Sequence, residues 1–421
     1  MRILLIHQYY LEKQDAGGSR FNEMTKVWAA AGHHITVVSG MIHVNGHGKY
    51  ERYKGKFFHK EDYEQNITVL RCHVSVAYNV NFVGRLWGYF SFVFSSLIGC
   101  FFKIKGPFDV VLVTSPPLFV GITGLIVSKL KRIPLVFEIR DLWPESAIDT
   151  GVLTNGLLIK MAYWFEALVY RQATLINALT PAFVDTLVQK KGVPASKITM
   201  IPNAADFVLS DHLLPILDRP TFRKQAGWEG KFVVVYVGAH GVANHLEQVL
   251  ETADLMRDTN LLFVLIGQGM RKPALKILAK EMGLDNVVFL DPVNKEKVFE
   301  YIIAADAGCS VLKKVDTFKT IYSNKTFDYM GCQTPIFMLI DGVSKKLLED
   351  AQAGLYVEPE NAPEFAEKIR WMMAHPEEAR QMGMNGYNYA RENVHRTVLS
   401  EKYLGYLVGL VKKKGRMHLV N

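Results

Sequence analysis

The chain has 421 residues, more than one ordinary hydrophobic core serves, so two domains are expected. With 49% hydrophobic residues each domain can bury a sizeable core. The net charge of +8 is modest, and with no aromatic-interleaved basic repeat or nucleic-acid module it argues against a nucleic-acid partner. Cys72, Cys100, Cys309 and Cys332 have no short paired spacing, which excludes a zinc knuckle or disulfide framework and suits a reducing cytosol.

The opening MRILLIHQYY lacks the long apolar core and cleavage site of a secretory signal, and is expected to be a buried first strand. A two-glycine loop, YYLEKQDAGGSRF, follows it. FNEMTKVWAAAG is a helix that Gly32 is placed to end, and HITVVSG is the next strand. This βαβ unit implies a parallel sheet. Further strands are expected at VLRCHVS, DVVLVTS, LVFEIRD, TLINALT and ITMIPN, several of them separated by helices. After a polar stretch near Asp206 to Gly230, the alternation repeats. KFVVVYVG is a strand closing on Gly238 and Gly241, HLEQVLETADLM a helix, and LLFVLIGQG a strand closing on Gly267 and Gly269. NVVFLD, AGCSVL, PIFMLI and GLYVEP are later strands, and three helices finish the chain. Two doubly wound α/β domains are therefore expected, with ligands at the carboxyl ends of the strands.

One segment, LWGYFSFVFSSLIGCFF (86–102), carries no charge and is flanked by Arg85, Lys103 and Lys105. At 17 residues it is at the lower limit for spanning a bilayer. Gly88, Ser91, Ser95 and Gly99 fall on one helical stripe, while Trp87, Phe90, Phe94, Leu97 and Phe101 cover much of the rest. The expected reading is a first-domain helix that packs its small residues on the sheet and touches lipid with its aromatics. The alternative is a wholly buried core helix. LLIKMAYWFEALVY would widen the lipid-facing surface. Basic residues at Lys129, Lys131 and Arg132, and in VKKKGR near the C-terminus, suit anionic lipid or anionic substrates.

The stretch YSNKTFDYMGCQTPIF (322–337) carries the clearest chemistry. Ser323, Asn324 and Lys325 open a helix, and Asp328 lies one turn on. A helix start presents unpaired N–H groups and the positive end of the dipole, and so attracts anions. Lysine adds a mobile charge, and the acid would hold a diol. Diphosphate at one end and ribose at the other suit a nucleotide. The same residues also fit an N-capped surface helix with an i,i+3 ion pair between Lys325 and Asp328.

Five segments, in order, resemble those of family 4 retaining glycosyltransferases. DAGGSRFNEMTKVWAAAGHHITVVSG is similar to the family's Gly-Gly loop, helix and GHxVTV strand. FEIRDLWPES resembles a segment of bacterial polysaccharide members, and IPNAAD resembles IPNGVD. YVGAHGVANHLEQVLETA looks like the first strand-loop-helix of the nucleotide domain, and SNKTFDYMGCQTPI like PSKxFEYMAxGxPI. The resemblance implies a GT-B fold: two Rossmann-like doubly wound domains facing an interdomain cleft, 1–205 for acceptor and 206–399 for nucleotide sugar, with a C-terminal helix at 400–421 returning to the first. Two departures stand out. Of two family glutamates eight positions apart, Asp328 matches the second, and Thr320 stands at the first. The family's diphosphate-holding Arg and Lys are matched by Ala239 and Asn244.

The resemblance implies donor contacts from Gly17, Gly18, His240, Gly241, Gly267, Tyr322, Ser323, Asn324, Lys325 and Asp328. Asp328 would take the ribose hydroxyls and Lys325 would neutralise the departing diphosphate. Ser19, Arg20, Arg140, Asp141 and Glu145 would contact the acceptor, with Asp141 orienting or deprotonating its hydroxyl and Arg140 holding its phosphate. Arg140 and Asp141 would equally suit a structural salt bridge, with each other or with Glu145. No covalent nucleophile is expected, since the leaving phosphate itself helps to take the acceptor proton. His7, Asn244, Glu247 and Gly269 are lesser candidates. No Asp-x-Asp motif or His/Cys spacing appears, so metal independence and no cofactor are expected.

The expected activity is transfer of a sugar, N-acetylated or not, from a UDP-sugar to a polyprenyl-diphosphate-linked saccharide in bacterial surface-polysaccharide synthesis. The enzyme would be cytoplasmic and peripheral at the inner face of the membrane, contacting it through 86–102. Two rival readings are a UDP-N-acetylglucosamine 2-epimerase-like enzyme and a non-catalytic nucleotide-sugar- or lipid-binding subunit.

Overall fold

A computed structural model describes residues 1–13, 15, 20–42, 51–79, 82–149, 151 and 153–418, with side chains placed through Lys412 apart from a few near 78–85. The chain divides into two compact units. One holds Met1–Lys13, the chain up to Pro202, and the segment from Thr397 onward; the other is Asn203–Arg396. The boundary lies three residues before the expected 205/206.

Among its described residues the first unit has eight strands: β1 (Arg2–Ile6), β2 (His34–Gly40), β3 (Phe58–Glu64), β4 (Ile67–Cys72), β5 (Val110–Ser115), β6 (Leu135–Ile139), β7 (Leu175–Ala178) and β8 (Ile198–Met200). Their order is β3-β4-β2-β1-β5-β6-β7-β8. All pairs are parallel except β3 with β4. The inner strands are apolar runs because helices cover both faces. β3 was not expected from sequence: FHKEDYE is charged and mostly solvent-facing, as an edge strand permits.

Three helices matter here: α1 (Arg20–Ala30), α2 (Phe82–Ile98) and α3 (Val120–Lys131). On α2 the stripe of small residues turns inward as expected: Gly88, Ser95 and Gly99 are buried and Ser91 is half-buried, and Ser96, outside the stripe, is buried as well. Ser95 Oγ donates to the His73 carbonyl (2.7 Å), and Ser96 Oγ pairs with Thr123 Oγ1 (2.8 Å), so the hydroxyls are satisfied. Gly99 lets the helix end press on β4, since a Cβ there would lie 2.8 Å from Leu70 Cδ2. Trp87, Phe90 and Phe94 are exposed, so the wholly buried alternative does not hold. Among the described residues, Leu86–Lys103 is long and apolar enough to cross a membrane by length and composition, though 44% of it is buried. The Arg396–His418 helix packs on α1: Trp28 Nε1 donates to the Ser400 carbonyl (2.8 Å), and the Trp28 and Tyr403 rings meet edge-on at 5.8 Å.

The second unit has six parallel strands, β9 (Phe232–Val237), β10 (Leu261–Ile266), β11 (Val287–Leu290), β12 (Ala307–Val311), β13 (Ile336–Leu339) and β14 (Gly354–Tyr356), in the order β11-β10-β9-β12-β13-β14. Its core joins Val234, Phe263, Cys309 and Phe337 to the helix residues Leu250, Phe365 and Ile369. All four cysteines are free and buried.

Candidate functional site

In the second unit, the carboxyl ends of β9, β10 and β12 meet the start of the Asn324–Gly331 helix. Tyr329 pins that helix to the sheet. Its hydroxyl receives the Val237 N–H (3.2 Å) and lies 3.2 Å from the Cys309 carbonyl. Ser323 is the N-cap residue, but its side chain accepts no backbone N–H. Its Oγ instead accepts from Lys325 Nζ at 3.2 Å. Lys325 reaches toward the β9 turn: Nζ lies 4.7 Å over the Tyr236 ring, and a Cβ on Gly238 would sit 3.2 Å from Lys325 Cε. Lys325 makes no ion pair among the described residues. The i,i+3 pair with Asp328 therefore does not form. Burial pulls the Lys325 pKa down from 10.5 to about 8, because only weak opposing charge comes from Cys309 and Asp328.

The Asp328 carboxylate makes no hydrogen bond among the described residues. Burial raises its pKa, opposed by the nearby Lys295 and Arg396. Lys295 is itself paired with Asp206. A carboxylate so placed is an acceptor for a ligand's hydroxyls. Tyr322 packs edge-on against Phe327 (5.8 Å), and Asn324 is exposed. Thr320 sits in the preceding turn, its Oγ1 donating to the Thr317 carbonyl (2.6 Å).

The β9 and β10 turns stack backbone on backbone. A Cβ at Gly267 (φ +150°) would lie 1.9 Å from the Gly238 carbonyl oxygen, and one at Gly269 2.4 Å from that of His240. The space beside Gly267, named above as a donor contact, is thus taken up by the chain's own turn. Lys272 locks this arrangement, its Nζ donating to the Gly267 (2.7 Å) and Leu290 (2.8 Å) carbonyls and to Asp291 (2.7 Å). His240 is buried below the turns with neither ring nitrogen partnered. Burial, with Lys272 and Lys276 nearby, holds its pKa down at about 4, so it is neutral. Gly241 opens the short turn Val242–Asn244. Glu247 is engaged by Arg271 (2.5 Å).

In the first unit, Arg140 and Asp141 follow β6, as expected. Arg140 forms no ion pair among the described residues, which sets aside the salt-bridge alternative. Its Nη1 lies 3.3 Å from His7 Nε2 at the end of β1. Burial lowers the pKa of both groups. Asp141 is raised to about 6 by burial, against hydrogen bonds from the Ser146 side chain and the Leu142 backbone. Glu145 is held by Lys191, which also bonds Glu166 (2.7 Å). Lys191 engages Glu145 through Oε1, while its Oε2 is buried and has no partner, so one oxygen is left for the acceptor contact expected of it.

Arg20 is a correction. It is buried, with Nε 3.1 Å from Glu138 Oε1 and Nη2 donating to the Ile201 carbonyl at 2.6 Å; Nη1 bonds the Pro202 carbonyl. Asn177 completes the Glu138 shell at 2.9 Å. Four of the five guanidinium N–H groups are thus spent on a core tether, which speaks against the expected acceptor contact. Gly17, Gly18 and Ser19 lie outside the described residues. Sequence reasoning missed Gln8 and Thr114. Their buried side-chain polar atoms, like His7 Nδ1, lack partners at the ends of β1 and β5. A lone Gln or Thr after an apolar run carries no signal of its own. Among the described residues no group of three or more His, Cys, Asp or Glu could hold a metal ion.

Two family descriptions match the chain: "Glycosyl transferase 4-like domain" over residues 16–204 and "Glycosyl transferases group 1" over 218–389. A protein of Escherichia coli K12 described as a colanic acid biosynthesis glycosyl transferase, WcaI, is 26% identical over 69% of this chain and 71% of its own. Among solved structures, sucrose-phosphate synthase from Thermosynechococcus elongatus superposes with a TM-score of 0.74 at 16% identity, covering 98% of this chain and 99% of that one. Anabaena HepE in complex with UDP-glucose gives 0.71 at 16%, covering 97% and 100%. The fold is GT-B.

Proposed function

The chain belongs to the glycosyl transferases that those two descriptions define, and on that premise we propose that it moves a sugar from a UDP-sugar, with retention, to a polyprenyl-diphosphate-linked saccharide in bacterial surface-polysaccharide synthesis. The observation that carries this reading is Lys325. It is a half-buried cation without an ion pair, set between the Ser323 helix start and the Gly238 turn. A diphosphate there gains the helix dipole, the lysine charge and turn N–H groups together. The Asp328 carboxylate, one turn on, suits the ribose diol. UDP is favoured because HepE, of the same fold, is described in complex with UDP-glucose, and a polysaccharide role because WcaI is described in colanic acid synthesis.

On the acceptor side, Arg140 would hold a phosphate and Asp141 would orient the attacking hydroxyl, the leaving diphosphate helping to take its proton. The exposed face of α2 would rest on the inner face of the membrane. The reaction would need no metal, since Lys325 supplies the charge a metal otherwise brings.

Thermal unfolding with UDP, GDP, ADP and CMP, with and without magnesium, tests the reading. A ligand specific to the folded state stabilises by about 2.7 kcal/mol at a hundredfold excess over its Kd. A shift with UDP that is indifferent to magnesium is expected. A shift with GDP alone would move the donor class, and no shift with any nucleotide would reject the donor site.

A further inference from the structure

Against the segment that follows β6 the first unit carries a cavity of about 280 Å³. Its walls come from α2 (Leu86, Phe90), the Gly156–Gln172 helix (Leu158, Ala162) and the segment after β6 (Trp143). Phe119 forms its hub, with ring centres 5.0 Å from Phe90, 5.5 Å from Trp143 and 6.0 Å from Phe165. Its size is near the lower end of ligand pockets, roughly 300–1,000 Å³. The lining is almost wholly hydrocarbon and aromatic, so a polar ligand would lose its hydration there without replacement.

Around the cavity the surface is also apolar. Trp87 is 62% exposed, Leu157 68% and Trp164 67%, on two helices that both pack on α3. Lys160 is exposed on the same helix as Leu157 and Trp164. Apolar and aromatic residues mixed with lysine suit an anionic lipid surface. The cavity is thus a recess in that face. Its wall also shares one chain segment, 140–147, with the acceptor corner. Trp143 and Ala147 line the cavity, while Asp141, two residues before Trp143, is hydrogen-bonded by Ser146, the neighbour of Ala147.

We propose that this recess is a slot for the first part of the acceptor's isoprenoid chain, seating the chain so that its phosphate reaches Arg140. This rests on the lipid-linked acceptor proposed above. The occupant is the acceptor's own chain, and not a bilayer acyl chain, because Trp143 and Ala147 of its wall belong to the same short segment as Arg140, the proposed phosphate contact. A single chain drawn from the membrane would fix the attacking saccharide's distance from the protein surface.

Farnesyl phosphate, a short soluble isoprenoid, is the probe, with lysophosphatidylglycerol as a straight-chain comparison; binding is read by tryptophan fluorescence. Farnesyl phosphate is expected to bind the full chain at least tenfold more tightly than the straight-chain lipid. Ala162→Phe, which fills the slot, and Leu86→Trp, which narrows its rim, should each weaken farnesyl phosphate at least tenfold. Both should keep the parent melting temperature and UDP response. No binding to the parent, equal binding of the two lipids, or unchanged binding in stably folded variants would overturn the slot. If both variants lose their fold, the parent's preference between the two lipids decides. A missing UDP response in the parent, with farnesyl phosphate still bound, would instead count against the donor assignment alone.

Discussion

If Lys325 receives the donor diphosphate, nucleotide binding must carry a proton signature. The lysine lies near pKa 8 in the free protein because burial removes its hydration and no carboxylate pairs with it. A bound diphosphate places negative charge beside it and returns it toward its ordinary value near 10.4. UDP's own second phosphate ionisation, near 6, is complete by pH 8. Binding should then take up about 0.1 proton at pH 7, about 0.5 at pH 8 and about 0.9 at pH 9. Titration calorimetry in buffers of different ionisation enthalpy measures this directly. Lys325→Met should abolish the uptake and weaken UDP strongly.

The same shift has a stability consequence. A lysine with a depressed folded pKa penalises folding fully below pH 8, and the penalty disappears as pH rises past the unfolded value. The drop from 10.5 to about 8 corresponds to about 3 kcal/mol at the most. The lost Tyr236 contact offsets about 1 kcal/mol of that. Lys325→Met without ligand should therefore be about 2 kcal/mol more stable than the parent at pH 7, and no more stable at pH 11. UDP binding with no proton uptake at pH 8 to 9, or with release, would refute the reasoning.

Three further outcomes are expected. Asp141→Asn should lower kcat about 100-fold with UDP affinity unchanged, and the parent's rate should fall as pH drops below about 6. Because the Asp141 pKa is raised, its contribution to stability is present below about pH 4 and lost as pH rises through 6; the Asn variant should melt higher than the parent at pH 8 but not at pH 4. Arg20→Leu leaves Glu138 buried and uncompensated, and should cost about 3–5 kcal/mol in denaturant unfolding; a normal stability with an altered acceptor KM would restore the acceptor role set aside above. Trp87→Ser combined with Phe94→Ser should weaken sedimentation with anionic vesicles more than tenfold while leaving the melting temperature unchanged, since both rings are exposed.

Most of the fold was legible from the chain alone. Strands buried on both faces read as apolar runs, and glycines at strand ends punctuated both series. The stripe of Gly88, Ser95 and Gly99 named the packed face of α2 because helix periodicity alone puts them together. The placement of Lys325 and Asp328 in the first turns of a helix was legible because a helix start and a one-turn spacing are local facts. What lay beyond local pattern was decided by tertiary contacts. β3 was missed because an edge strand needs only a partner, not an apolar pattern. Whether Lys325 pairs with Asp328 depended on where the β9 turn and Tyr236 stand, 85 or more residues earlier in the chain. Arg20, next to a glycine loop, looked like a ligand contact until Glu138, Asn177 and the Ile201 carbonyl closed around it. Sequence assigns charge and periodicity; only the folded chain decides which charges spend themselves on each other and which remain for a substrate.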